Sequence, residues 1–345
     1  MSGSNMKDIK INSHTGFQKL KSCIVGKSYP PEFYDMIETP GVRNVMQRVA
    51  RETEEDYQKL IGIIEDFGAT VYRPDVDPTD NFSKYLVIQP DGTRTYNSPP
   101  MNPRDYLLVY GNTMLVNRPH GEQYIDFYDH ILDRIDGNIF HSRDYPVLQQ
   151  MIMPCVTRVG QDIYFDRMRN QREIIDQFFK DYRTHEVLTG GHSDGVFCPV
   201  TPGLIVSLRD VPTYKNTFPG WEVVYLPDQS WDAVKDFLLL KEKNDGKWWI
   251  PGEEKNDDLI DYVETWLKDW VGYVEETVFD VNMFVLDEKN VIVNNHNEQV
   301  FEALERYGVT PHVCNFRHRY FWDGGLHCVT LDLEREGECI DYFSN

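Results

Sequence analysis

The chain has 345 residues, of which 41% are hydrophobic and 13% aromatic, enough to bury a sizeable core. Its 35 Lys and Arg against 56 Asp and Glu leave a formal charge of −21; that field repels phosphate backbones, so nucleic acid is excluded as a partner, while cationic small molecules such as guanidinium compounds are favoured. Six cysteines are scattered without a C-x-x-C pair, the opening MSGSNMKDIK has no apolar signal core, and no apolar run reaches about 18 residues, so a cytoplasmic protein with reduced thiols and no membrane partner is expected.

In chain order, KSCIVG from Lys21 reads as a strand, and the amphipathic stretch Val45–Phe67 as a helix that runs into the strand ATVYRP at Ala69. A hairpin follows at DYLLVYGNTMLVN from Asp105, turning at Gly111. Arg169–Tyr182 has helical periodicity and leads into THEVL at Thr184. The next hairpin, DGVFCPVTPGLIVS from Asp194, turns at Pro202-Gly203, and is followed by EVVYLP and a weaker helix near Trp231–Leu240. A third hairpin, NMFVLDEKNVIVNN from Asn282, turns at Asp287-Glu288-Lys289, before the helix Glu298–Tyr307 and the strand TPHVCNF at Thr310. The recurring unit is a hairpin, a helix and one more strand. KSCIVG lacks a hairpin partner and the last strand, LHCVTLDLERE, lacks a following helix, so these two ends are expected to pair and close a ring of about five units. Residues 1–15 read as an N-terminal tail and 16–345 as one closed α/β domain. The polar, Gly/Pro-broken segment 241–258 reads as an insertion, with Trp248 and Trp249 packing locally at a rim.

Three segments carry candidate chemistry. In GGLHC, Gly324 and Gly325 remove two β-carbons just before the thiol of Cys328, which lets backbone or ligand approach at the mouth of a strand. In TGGHSDG, His192 and Asp194 are two apart, so on a strand both side chains would leave one face. A histidine there can move protons to and from a thiol or amine, and a carboxylate can bind a planar cation. In NPRD, Asp105 again stands where a loop enters an apolar strand. Each segment alone reads equally as a buried thiol, a structural histidine and a turn aspartate; their equivalent placement at strand mouths predicts that they converge. A metal site built from His312, Cys314, His327 and Cys328 is disfavoured, because H-x-C and H-C are not zinc spacings.

Taken together, NPRD with GNTMLV, HSD before a hairpin, NMFVLDEKNVIV, and GGLHCVTLDL resemble the arginine:glycine amidinotransferases of the pentein superfamily, over nearly the whole chain. The resemblance implies a five-bladed pseudo-symmetric α/β propeller, a cysteine nucleophile and no cofactor or metal. Cys328 is similar to the nucleophile that takes up an amidino group. His192 is similar to the general acid/base, and Asp105 and Asp194 to the carboxylates that hold the guanidinium, with Gly191 and Asn282 also among the substrate-binding positions. The chain departs from the family at three places. No carboxylate precedes the G-R-D-like motif, leaving Asp162 as the candidate for the histidine-orienting acid, or an amide such as Gln150. Thr189-Gly190-Gly191 replaces the Asn-x-Met typical of glycine-using members. The donor-carboxylate segments align with Val211 and Glu275-Glu276, with Arg209 displaced nearby. The implied partners are a guanidino donor and an acceptor amine, with a homodimer left open. A guanidino hydrolase or deiminase, and a non-catalytic guanidinium-binding protein of the same fold, are the alternative readings.

Overall fold

A computed structural model describes residues 7–76, 85–88, 92–117, 127–208, 214–226, 235–268, 270–271, 274, 281–322 and 324–344. Among the described residues five three-stranded sheets share one plan: an antiparallel pair whose second member is extended by a parallel strand. The second sheet joins Leu107–Tyr110, Thr113–Val116 and Asn138–His141. The fourth joins Phe197–Thr201, Leu204–Ser207 and Glu222–Tyr225, and the fifth to be completed in sequence joins Phe284–Asp287, Asn290–Val293 and Thr310–Val313. These three hairpins turn where the sequence places them. The third sheet, Val156–Val159, Asp162–Asp166 and Arg183–Val187, is built on a hairpin that pattern reading passes over; Gly160, at φ 62°, sits in its turn.

The remaining sheet joins the two ends of the chain. Thr330–Glu336 pairs antiparallel with Lys19–Val25, which in turn pairs parallel with Thr70–Tyr72. The expected pairing of the first and last strands is therefore present, although the five sheets remain separate and none closes on itself. The inner strands are apolar on both faces, as strands buried on both sides must be. Leu107–Tyr110, Thr113–Val116, Phe197–Thr201 and Leu204–Ser207 are buried at every residue.

Helices cover the sheets. The longest, Pro40–Asp66, starts with a proline at its first position, where a missing N–H costs nothing. It buries Val42, Met46, Val49, Tyr57, Leu60 and Ile64, the stripe that 3.6-residue periodicity requires. The weak helix expected near Trp231–Leu240 begins outside the described residues; a single turn is found at Leu238–Lys241.

Two placements read from the sequence are corrected. The segment expected as a tail is part of the fold from Ile9 onward. Ile9–Lys10 pairs with Ile135–Asp136, and Asn12, Ser13 and Thr15 bridge to Glu334, Gly111 and Val159. Ser13 and Thr15 are fully buried; Ser13 Oγ donates to Asp332 of the last strand, and Thr15 Oγ1 accepts the backbone N–H groups of Phe17 and Gln18. Within 241–258, Trp248 and Trp249 are not at a rim: with Ile250 they are buried in the largest apolar cluster, with the long helix and the strand Lys19–Val25. Of its charged residues, Glu254 accepts Trp249 Nε1 at 2.8 Å, while Trp248 Nε1 donates to Glu264 of the helix that follows at 2.8 Å.

Candidate active site

Cys328 lies in the turn just before Thr330–Glu336 and is 5% exposed. The two preceding glycines have a steric reason. A β-carbon on Gly324 would collide with the Asn102 side chain, and one on Gly325 would lie 2.6 Å from Asn282 Oδ1. Asn282 needs that space because it grips the nucleophile's turn. Its Oδ1 accepts the backbone N–H groups of His327 (2.8 Å) and Cys328 (3.3 Å), while its Nδ2 donates to Cys328 Sγ at 2.9 Å. Asn282, expected among the substrate-binding positions, is thus placed against the sulfur itself.

Asp194 is brought to the same sulfur. Cys328 Sγ donates to Asp194 Oδ2 at 3.3 Å, and His327 Nδ1 lies 2.8 Å from that oxygen. Burial alone would raise the Asp194 carboxyl, but the His327 hydrogen bond and the neighbouring His192 and Arg104 hold it down at about 2, so it is a carboxylate at neutral pH. His327 is also pushed below its ordinary value, by burial and by Arg104, against the pull of Asp194. A neutral imidazole that donates Nδ1–H to an ionised carboxylate satisfies both shifts. The other oxygen, Asp194 Oδ1, is buried and has no hydrogen-bond partner among the described residues. A bare carboxylate oxygen beside a thiol is the feature that a planar cationic ligand would complete.

His192 arrives differently from the way its spacing suggested. It is extended (φ −60°, ψ 134°) and precedes a single helical turn, Ser193–Gly195; the strand begins only at Phe197. The argument from alternation along a strand therefore fails, and the turn is what presents His192 and Asp194 together. The half-buried His192 follows a loop tied to Asp166, whose Oδ2 accepts Thr189 N (2.6 Å), Thr189 Oγ1 (2.7 Å) and Gly190 N (3.2 Å). Gly191 lies in that loop, where its carbonyl accepts Thr189 Oγ1 at 2.9 Å and the Cys155 thiol at 3.4 Å. Asp105 is half-buried on the helical turn Pro103–Tyr106, next to Arg104, whose Nε donates to His327 O at 2.8 Å.

Asp162 is not brought to this site. It accepts from Arg183 Nε (3.0 Å) and Nη2 (2.6 Å) and lies 2.6 Å from His185 Nε2, at the far end of the strand whose other end carries Asp166. Four residue steps at about 3.3 Å each separate the two. The structure thus pairs Asp162 with His185 rather than His192. Gln150 is engaged with Gln171. Arg209, Val211 and Glu275-Glu276 lie outside the described residues. His312 pairs with Asn290 (2.9 Å) on the last hairpin sheet, away from Cys328. Sequence reasoning missed Asp166, His327 in its role beside Asp194, and Arg104. For Arg104 and His327 a signal existed, since each adjoins a residue already singled out.

No family model matches the chain. The glycine amidinotransferase of Xenopus tropicalis mitochondria is 21% identical across 100% of this chain and 87% of its own length. Among solved structures, the amidinotransferase SxtG of the saxitoxin pathway of Microseira wollei superposes with a TM-score of 0.66 at 19% identity, covering 96% of this chain and 99% of its own. The inosamine-phosphate amidinotransferase StrB1 of Streptomyces griseus gives 0.65 at 18% identity, covering 97% and 99%. Along its whole length the chain is similar to amidinotransferases, and its fold is that of the two solved ones.

Proposed function

We propose that this protein transfers an amidino group from a guanidino donor to an acceptor amine through a covalent intermediate on Cys328. The observation that carries the reading is the buried carboxylate of Asp194, with Oδ2 3.3 Å from Cys328 Sγ and Oδ1 without a partner among the described residues. A guanidinium seated on Oδ1 presents its central carbon to the sulfur and keeps its charge against a fixed anion. Asp105, on the turn beside Arg104, supplies the second carboxylate. The five sheets, on this reading, stand as blades about one axis with Cys328 near it.

His192 takes the Cys328 thiol proton, and attack by the sulfur on the guanidinium carbon forms the C–S bond as the carbon's bond to the donor nitrogen breaks. His192 gives a proton to the departing nitrogen, and the donor leaves as an amine. The acceptor amine then attacks the amidino carbon, His192 takes its proton, and the C–S bond breaks to restore the thiol. Asn282 Nδ2 steadies the sulfur whenever it carries charge. No metal or organic cofactor is needed, because the leaving group is an amine and all charge is met by side chains. With Thr189-Gly190-Gly191 forming the loop before His192, the acceptor pocket is roomier than a glycine-sized one. No helix among the described residues is long and apolar enough to cross a membrane, and the reading places the protein in the cytoplasm.

The test is intact-protein mass spectrometry after incubation with guanidino compounds and no acceptor. One amidino group is expected on the native protein and none on Cys328→Ser. Discharge of the adduct by added amines but not by water identifies a transferase; discharge by water identifies a hydrolase and overturns the transfer reading. Absence of any adduct across arginine and its chain-length analogues sinks the covalent mechanism.

A further inference from the structure

Beneath the nucleophile lies a small cavity of about 40 Å³, with Gly16, Arg104, Arg158 and Met283 in its walls and Asp194 and His327 on the side towards Cys328. The two arginines in its walls share one carboxylate, Asp332, with a third arginine, Arg335. Asp332 Oδ1 accepts Arg104 Nη2 at 2.7 Å, and Oδ2 accepts Arg158 Nη2, Arg335 Nε at 2.8 Å and Ser13 Oγ at 2.7 Å. Three cations against one anion leave two positive charges in excess, and still one when Asp194 is counted. In a chain of formal charge −21, this is a local inversion of sign inside the protein.

Arg335 is fully engaged, its Nη1 donating to Gln18 O (2.5 Å) and its Nη2 to Val285 O (2.9 Å). The two arginines on the cavity are not. Arg104 uses Nε on His327 O and Nη2 on Asp332; Arg158 uses Nε and Nη2 on Ser13 Oγ (3.2 and 2.6 Å) and Asp332. The Nη1 group of each has no hydrogen-bond partner among the described residues, although the two side chains are only 6% and 7% exposed. A buried guanidinium with unused donors and unbalanced charge is costly, and an anion is the ligand that relieves both deficits. Phosphate-sized dianions would overshoot the excess beside Asp194, whereas a single negative charge matches it.

We infer that this cavity is a binding site for a small monoanion, a carboxylate or a halide, held between the Nη1 groups of Arg104 and Arg158. Neither Cys328 nor His192 nor Asp105 lines it, but Asp194 does, so it adjoins the place where the guanidinium is read. It is coupled to that place, because Arg104 also holds the carbonyl of His327, whose ring holds Asp194.

The experiment follows the line broadening of isotope-labelled formate on adding the protein, with bromide as competitor and gluconate, too large for the cavity, keeping ionic strength constant. Saturable binding is expected, with a Kd on the order of millimolar, weakened about tenfold or more in both Arg158→Gln and Gly16→Leu. Gly16 has nothing within 4 Å of the position its β-carbon would take, so leucine enters the cavity and leaves both arginines in place. It keeps the test readable if Arg158→Gln fails to fold. Displacement by bromide identifies a general monoanion site, and failure to displace identifies a carboxylate site. Absence of saturable binding, or binding that Gly16→Leu leaves intact, overturns the inference.

Discussion

Replacing Asp194 by asparagine keeps the shape of the side chain and removes its charge, so it isolates what the carboxylate contributes. The native carboxyl is held at about 2 against an ordinary 3.8, in a residue only 7% exposed. That gap corresponds to roughly 2 kcal/mol of stability at neutral pH. The folded-state value is the lower one, so the contribution is fully present above about pH 4 and is lost as pH falls towards about 2. Asp194→Asn should therefore melt below the native protein by a margin that is constant from neutral pH down to about pH 4.5 and shrinks below it. Chemistry should suffer more. A charge-assisted hydrogen bond to the guanidinium contributes about 1.5–3 kcal/mol, so amidino-adduct formation on Cys328 should slow by roughly 10- to 150-fold. The assay is a single-turnover time course by intact mass, paired with melting curves across pH. A variant that forms adduct within about threefold of the native rate would refute the assignment of Asp194 as the guanidinium's counter-charge. A melting difference that ignores pH would refute the electrostatic account of its stability.

Asn282→Ala removes the donor to Cys328 Sγ and leaves two backbone N–H groups of the turn without their acceptor; alkylation of Cys328 by iodoacetamide should slow about tenfold, and stability should fall by about 1–3 kcal/mol. Gly325→Ala puts a β-carbon 2.6 Å from Asn282 Oδ1 and should reproduce most of that effect without touching Asn282, at about 1–3 kcal/mol in a denaturant titration. Asp162→Asn separates the two histidine-associated acids: with Asp162 committed to Arg183 and His185, melting should shift downward while the adduct rate stays within about twofold, and a large rate loss would restore Asp162 to the mechanism.

What the sequence by itself determined was local. The hairpins at Asp105, Asp194 and Asn282 were legible because two apolar runs around a turn leave few alternatives, and the long helix because its apolar stripe has a fixed period. The hairpin of the third sheet escaped notice because Arg158 and Thr157 interrupt its apolar pattern; Arg158 is buried there by its bonds to Ser13 and Asp332. The burial of Trp248 and Trp249 was hidden for a related reason: charge in a sequence signals surface, and only the fold shows that Glu254 and the later Glu264 accept from buried indoles. Cys328, His192, Asp194 and Asp105 could be singled out from their place at strand mouths and from a family resemblance. Which carboxylate meets which histidine could not, since Asp162 lies 30 residues before His192 in the chain and yet binds His185. Residue type states what a side chain can do; only packing decides what stands within 3 Å of it, because hydrogen bonds and ion pairs act over a few ångströms while chain separation is unbounded. The arginines beneath the nucleophile belong to that second class: Arg104 and Arg158 come from distant segments to join Arg335 on one aspartate that no motif announces.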